Sequence, residues 1–129
     1  MSEAVLDSSA VLAVLNGEPG EDVVRRWLAG PVAVLCSVNL AEVVTKLVEQ
    51  GAAETTIQRA LATVQLEVAD FDAELAYAAG LLRAATRQAG LSLGDRACLA
   101  LGIRLKLPVV TADRSWAGLG LPVEVVVVR

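Results

Sequence analysis

The stretch Ala4-Val5-Leu6-Asp7-Ser8-Ser9-Ala10-Val11-Leu12 passes from three apolar residues through a carboxylate and two hydroxyls, then back to apolar residues at helical spacing. A short unbroken apolar run suits a strand covered on both faces, as in a parallel sheet. The spacing after Asp7 predicts a helix from Ser8 to Leu15, ended by Asn16-Gly17. A strand that feeds straight into a helix is the first half of a βαβ unit. Asp7 then falls at the strand's carboxyl end, the edge where open α/β sheets bind ligands.

The alternation repeats outward from this stretch. Glu18-Pro19-Gly20 is a turn, and Glu21 to Ala29 is a second helix with Val23, Val24, Trp27 and Leu28 inward. Gly30-Pro31 breaks it. Val32 to Cys36 is a second strand, followed by a helix that Ser37 or Asn39 caps and that runs to Gln50. Glu54 to Val64 is helical and Leu66 to Ala69 is a strand. Asp72 to Ala89 is one long helix closed by Gly90, and Ser92 caps another that reaches Lys106. Leu107 to Thr111 is a strand, Arg114 to Gly118 a helical turn, and Val123 to Val128 a last strand at an edge, where the charge of Glu124 opposes edge pairing. The order βααβααβααβαβ predicts a doubly wound parallel α/β sheet. No repeat, low-complexity tract or linker interrupts it, so one domain over residues 1–129 is expected.

Composition narrows the chemistry. Hydrophobic residues make up 55% of the 129, which excludes a disordered chain, and at 3% aromatics the packing falls to Ala, Val and Leu. A formal charge of −4 argues against a general nucleic-acid binder, although a local Arg patch can coexist with an acidic site. The absence of histidine excludes a Ser-His-Asp triad, His-based acid–base catalysis and His-ligated zinc. Cys36 and Cys98 lie in apolar runs and are expected to be buried free thiols, as suits a reducing cytosol. Neither a signal-peptide pattern nor a bilayer-length apolar run is present, so a cytoplasmic location is expected.

Four acids, Asp7, Glu42, Asp95 and Asp113, each fall just after a predicted strand or in the first turn of a predicted helix. In a parallel sheet those places share one edge. Like charges gathered at roughly 4 Å cost about 4 kcal/mol per pair at an effective dielectric of about 20. A cation or partial protonation must relieve them, and oxygen-only ligands suit Mg²⁺ or Mn²⁺. Each acid also has a plainer reading. Asp7 and Asp113 could simply cap the helices that follow them, and Ser92-Leu93-Gly94-Asp95 matches a capping box. Asp95 nevertheless shares a helical stripe with Cys98, Leu99 and Gly102, facing the sheet, while Arg96 and Arg104 mark the wetter side. Glu42 points away from the stripe of Leu40, Val43, Val44 and Leu47, so periodicity assigns it to solvent or to the wall of a cleft. If the strands of Val5 and Val110 are central neighbours, Asp7 and Asp113 flank the crevice where strand order reverses.

In Val5-Leu6-Asp7-Ser8-Ser9-Ala10-Val11-Leu12, Ser37-Val38-Asn39-Leu40-Ala41-Glu42-Val43, Leu93-Gly94-Asp95-Arg96-Ala97-Cys98-Leu99-Ala100 and Val110-Thr111-Ala112-Asp113-Arg114-Ser115-Trp116, the chain resembles the PIN-domain ribonucleases, specifically the VapC-like toxins of type II toxin–antitoxin pairs. The pieces occur in order over nearly the whole length. The central region from Ala52 to Gln88 matches only by helix count and length. The resemblance implies a three-layer α/β/α sandwich with a central parallel sheet of four to five strands, and a metal-dependent endoribonuclease. It implies Asp7 and Asp95 as principal metal ligands, with Glu42 and Asp113 completing the pocket and Ser9 and Thr111 as hydroxyls beside it. It also implies a cognate antitoxin that buries the site, and commonly a homodimer. A mean hydropathy of +0.57 leaves apolar surface for such interfaces.

Without histidine, Mg²⁺ must activate the water and neutralise the phosphate charge. Asp7 and Asp95 would fix a first ion, Asp113 could share a second, and Glu42 could orient water. Attack on an RNA phosphodiester would leave a 5′-phosphate and a 3′-hydroxyl. Arg96 and Arg114, beside two of the acids, are the candidates for phosphate contacts. One alternative is a Mg²⁺-dependent phosphotransfer domain. A receiver needs a lysine after its last strand, whereas the only lysines here are Lys46 and Lys106. A haloacid-dehalogenase-like phosphatase needs a second Asp where this chain has Ser9. The other alternative is a non-catalytic PIN-like binding module, against which the presence of all four acids speaks.

Overall fold

A computed structural model describes residues 3–129. Five strands form one fully parallel sheet: β1 (Ala4–Leu6), β2 (Ala33–Cys36), β3 (Glu67–Ala69), β4 (Val109–Thr111) and β5 (Val125–Val127), in the order β3-β2-β1-β4-β5. The three inner strands are buried along their whole length because helices cover both faces. Leu6 and Leu35 point to one face, with α1 (Ser8–Leu15), α2 (Glu21–Leu28), α3 (Ser37–Glu49) and α4 (Glu54–Ala62). Val5, Val34 and Val109 point to the other, against α5 (Ala73–Leu81) and α7 (Leu93–Leu105), with the fully buried Trp116 among them. The result is the expected three-layer α/β/α arrangement.

β1 and β4 are neighbours, paired as Val5 with Val109 and Leu6 with Val110. The Asp7 amide continues the ladder by donating to the Val110 carbonyl at 3.0 Å. Strand order reverses between them, so Asp7 and the β4 loop meet at the switch point.

Three local expectations give way. First, α3 follows β2 without a linker, so neither Ser37 nor Asn39 caps it; Cys36 holds the cap position and offers no side-chain bond. The Ser37 hydroxyl instead accepts from the Phe71 amide at 2.9 Å, and Asn39 is buried. Second, the long helix over 72–89 is two pieces, α5 and a short α6 (Arg83–Thr86) separated at Leu82. Gly80, a poor helix former, lies two residues before the break. Third, β4 begins at Val109 because Pro108 has no N–H for the ladder, and β5 begins at Val125, past Pro122. Cys36 and Cys98 are free and buried, as expected. Among the described residues no helix is long and apolar enough to cross a membrane.

Candidate functional site

Asp7 is the deepest of the four acids, at 2% exposure. Its Oδ1 accepts from Ser9 Oγ at 2.7 Å and from the Ala10 amide at 3.0 Å, which makes it the N-cap of α1. Its Oδ2 accepts from Thr111 Oγ1 at 3.0 Å. Burial pushes the carboxyl up to about 7, even though these bonds pull it down, and the nearby charge of Asp95 pushes it further up. Ser9 and Thr111 bind the β4 loop to the same cluster. The Ala112 amide donates to Ser9 Oγ at 2.9 Å, and the Asp113 amide donates to Thr111 Oγ1 at 3.0 Å.

Asp95 sits in the first turn of α7 in a full capping box. Its amide donates to Ser92 Oγ at 3.2 Å, and its Oδ2 accepts from the Ser92 amide at 2.9 Å. Desolvation is the main reason its carboxyl is raised; the Ser92 bonds oppose the shift, and the charges of Glu42 and Asp113 add to it. Asp95 is thus electrostatically linked to all three other acids.

Glu42 lies on the wall of the cleft, half-buried. Its Oε1 accepts from Ser8 Oγ at 2.9 Å and from Asn39 Nδ2 at 2.9 Å. The same Nδ2 donates to the Gly94 carbonyl at 3.1 Å. A Cβ on residue 94 would fall on the Glu42 carboxylate, so the carboxylate lies in this position because residue 94 is glycine. Asp113 is exposed; its Oδ1 accepts from the Ser115 amide at 2.9 Å and from Ser115 Oγ at 2.7 Å, capping the 3₁₀ turn Arg114–Trp116.

The two arginines diverge. Arg96 turns toward α5, where Nη1 donates to the Ala79 carbonyl at 3.1 Å. Arg114 is exposed, and its Nε donates to the Arg129 carbonyl at 2.9 Å. It borders an open groove of about 590 Å³ lined also by Ser9, Pro19, Ala112, Asp113 and Arg129. Ser8 and Asn39 are the site residues that sequence reasoning missed as such. Asn39 was legible: it precedes Val43 by four and Leu47 by eight, so it shares their buried stripe, an unusual place for an amide.

Among the described residues no three acid or thiol side chains converge closely enough to hold a metal ion. The chemistry of the donors nevertheless fits a hard divalent cation. All four side chains offer oxygen, and none forms a salt bridge with a described Lys or Arg. The proton that burial keeps on Asp7 up to about pH 7 is the charge a cation would replace.

Solved structures share this fold. VapBC2 from Rickettsia felis, bound to a DNA fragment from its promoter, superposes with a TM-score of 0.72 at 18% identity, covering 95% of this chain and 96% of that one. VapC20 of Mycobacterium tuberculosis, a toxin that cleaves the sarcin–ricin loop, gives 0.71 at 18% identity over 94% and 98%. VapBC-5 of the same organism, a member of the VapBC family of toxin–antitoxin systems, gives 0.66 at 25% identity over 99% and 100%. No curated protein matches the chain in sequence. The family model described as the PIN domain matches residues 4–120, a span that holds all four acids and every strand but β5, and the chain accordingly belongs to the PIN domain family.

Proposed function

We propose that the chain is a Mg²⁺- or Mn²⁺-dependent endoribonuclease and the toxin of a type II toxin–antitoxin pair. The observation that carries this reading is Asp7: a buried carboxylate at the switch point of a PIN domain, close to the charge of Asp95 and with no salt-bridge partner among the described residues. The likeness to VapC20, a toxin that cleaves the sarcin–ricin loop, and to VapBC structures supports the substrate class and the antitoxin partner.

Asp7 and Asp95 would hold the ion, with Asp113 and Glu42 completing the acidic pocket. A bound Mg²⁺ or Mn²⁺ supplies charge neutralisation at the phosphate and a more acidic water. Ser9 and Thr111 fix both Asp7 oxygens, so its carboxylate needs no reorganisation when the substrate arrives. Glu42 would orient the attacking water through Oε2, which has no donor among the described residues. Arg114 has no Nη bond among the described residues, borders the groove and is suited to an RNA phosphate. Arg96 is less suited to a phosphate, because its Nη1 is on the Ala79 carbonyl and its Nε is buried. Phosphotransfer through Asp7 fits less well, because the residue two positions on is Ser9 rather than a second Asp, and no lysine follows β4 or β5. In the cell the antitoxin would cover the acidic edge, and the toxin would pair as a homodimer.

The test is cleavage of RNA by purified protein in Mg²⁺ or Mn²⁺. Products with 5′-phosphates are expected, and Asp7→Asn and Asp95→Asn should lose the activity while melting cooperatively. A folded wild type that leaves RNA intact in both metals overturns the reading, as does full activity in both variants.

A further inference from the structure

We propose that Asn39 is a positioning residue of this site, holding Glu42 by one oxygen and fixing its distance from Asp95. The inference rests on the nuclease reading above and names a residue that reading does not use. Asn39 is completely buried, and its amide group bridges two helices. Nδ2 donates both to Glu42 Oε1 at 2.9 Å, on its own helix, and to the Gly94 carbonyl at 3.1 Å, in the first turn of α7. Asp95 is the next residue. The amide orientation is set by this pair of acceptors, since the flipped form would place Oδ1 against a carboxylate and a carbonyl.

In that orientation Asn39 Oδ1 is buried without a partner among the described residues. An unsatisfied buried acceptor is costly and is rare in folded proteins. A side chain selected only for packing at this position would be apolar, like Val43 and Leu47 farther along the same stripe. The cost is understandable if what matters is the donor. With Ser8 Oγ also on Oε1, the two donors engage one oxygen of Glu42 and leave Oε2, which lies against Gly94, without a donor among the described residues. Gly94 completes the device: without a side chain there, the Glu42 carboxylate can lie against the turn that carries Asp95. Asn39 therefore sets which oxygen of Glu42 serves the pocket and how far it stands from the neighbouring acid.

The experiment measures steady-state cleavage of a fluorogenic oligoribonucleotide that the wild type cuts, in saturating Mg²⁺, for wild type, Asn39→Ala, Glu42→Gln and the double variant. Asn39→Ala is expected to lower kcat about 10–100-fold, the range seen when a supporting partner of a metal-site residue is removed, with KM within about twofold. In the Glu42→Gln background the same substitution should cost nothing further, because its effect passes through Glu42. Equal losses in both backgrounds, or an unchanged kcat in folded Asn39→Ala, overturn the inference while leaving the nuclease reading in place. If Asn39→Ala does not fold, Ser8→Ala removes the other donor to the same oxygen and should show a smaller loss of kcat that likewise vanishes in Glu42→Gln; additivity there is the overturning result. A wild type that cuts no RNA defeats the nuclease reading and this inference with it.

Discussion

Burial puts an electrostatic cost on ionised Asp7, and its sign can be worked through. An unfolded aspartate titrates near 3.8, whereas folded Asp7 titrates at about 7. Below the lower value both states hold the proton and nothing is lost. Between the two values the folded state keeps a proton that the unfolded state has released, so stability falls as pH rises; above about 7 the penalty is complete, on the order of 4 kcal/mol. Asp95, raised mainly by burial, acts in the same sense. Asp72, lowered by Arg104, acts in the opposite sense but only in acid, below the usual carboxylate range. The melting temperature in EDTA should therefore drop between pH 5 and pH 8, and millimolar Mg²⁺ should restore much of the loss at the alkaline end. Asp7→Asn should flatten this profile and stabilise the metal-free protein at pH 8, because an amide keeps the Ser9 and Ala10 bonds and can donate to Thr111. Differential scanning fluorimetry across pH, with and without Mg²⁺, checks both outcomes; a flat wild-type profile would show that Asp7 is ionised at little cost.

At the scale of elements, α7 does most to build the site. Its capping box places Asp95, its Gly94 admits Glu42, and its Gly102 lies where a Cβ would strike Val109 of β4 and crowd Val123. Gly102→Ala sets about 1 kcal/mol of helix propensity against overpacking of about 1–3 kcal/mol. Net destabilisation is expected, read as a lower urea midpoint with unchanged m-value; a higher midpoint would mean that the helix can slide off the sheet. The capping signals of α7 were readable because Ser92 and Asp95 are three residues apart. Those of α3 were misread, because a strand that runs into a helix without a linker leaves no place for a cap. Glu42 was assigned by periodicity to solvent or to a cleft wall, and the choice between them depended on the first turn of α7, which periodicity within α3 cannot register. The break at Leu82 was hidden in the same way: the apolar spacing continues across it.

For the molecule as a whole, the proposed toxin function makes a prediction in cells. Expression alone should arrest bacterial growth, and co-expression of an adjacent antitoxin gene should restore it, with Asp95→Asn harmless in either setting. Colony counts under induction decide this, and equal growth arrest by Asp95→Asn would separate toxicity from the acidic site. The strand and helix alternation, the missing histidine and the placement of four acids near strand ends were all present in the linear chain, because they depend on residue type and on spacing within a few residues. The spatial order β3-β2-β1-β4-β5 was not, and it is what brings Asp7 beside Thr111. The bonds that decide the chemistry join residues 34, 55 and 104 positions apart: Ser8 to Glu42, Asn39 to Gly94 and Thr111 to Asp7. Which carboxylate is dry, and which oxygen of Glu42 is free, follow from helices closing over one sheet edge, since desolvation and hydrogen bonding act between groups that only packing makes neighbours.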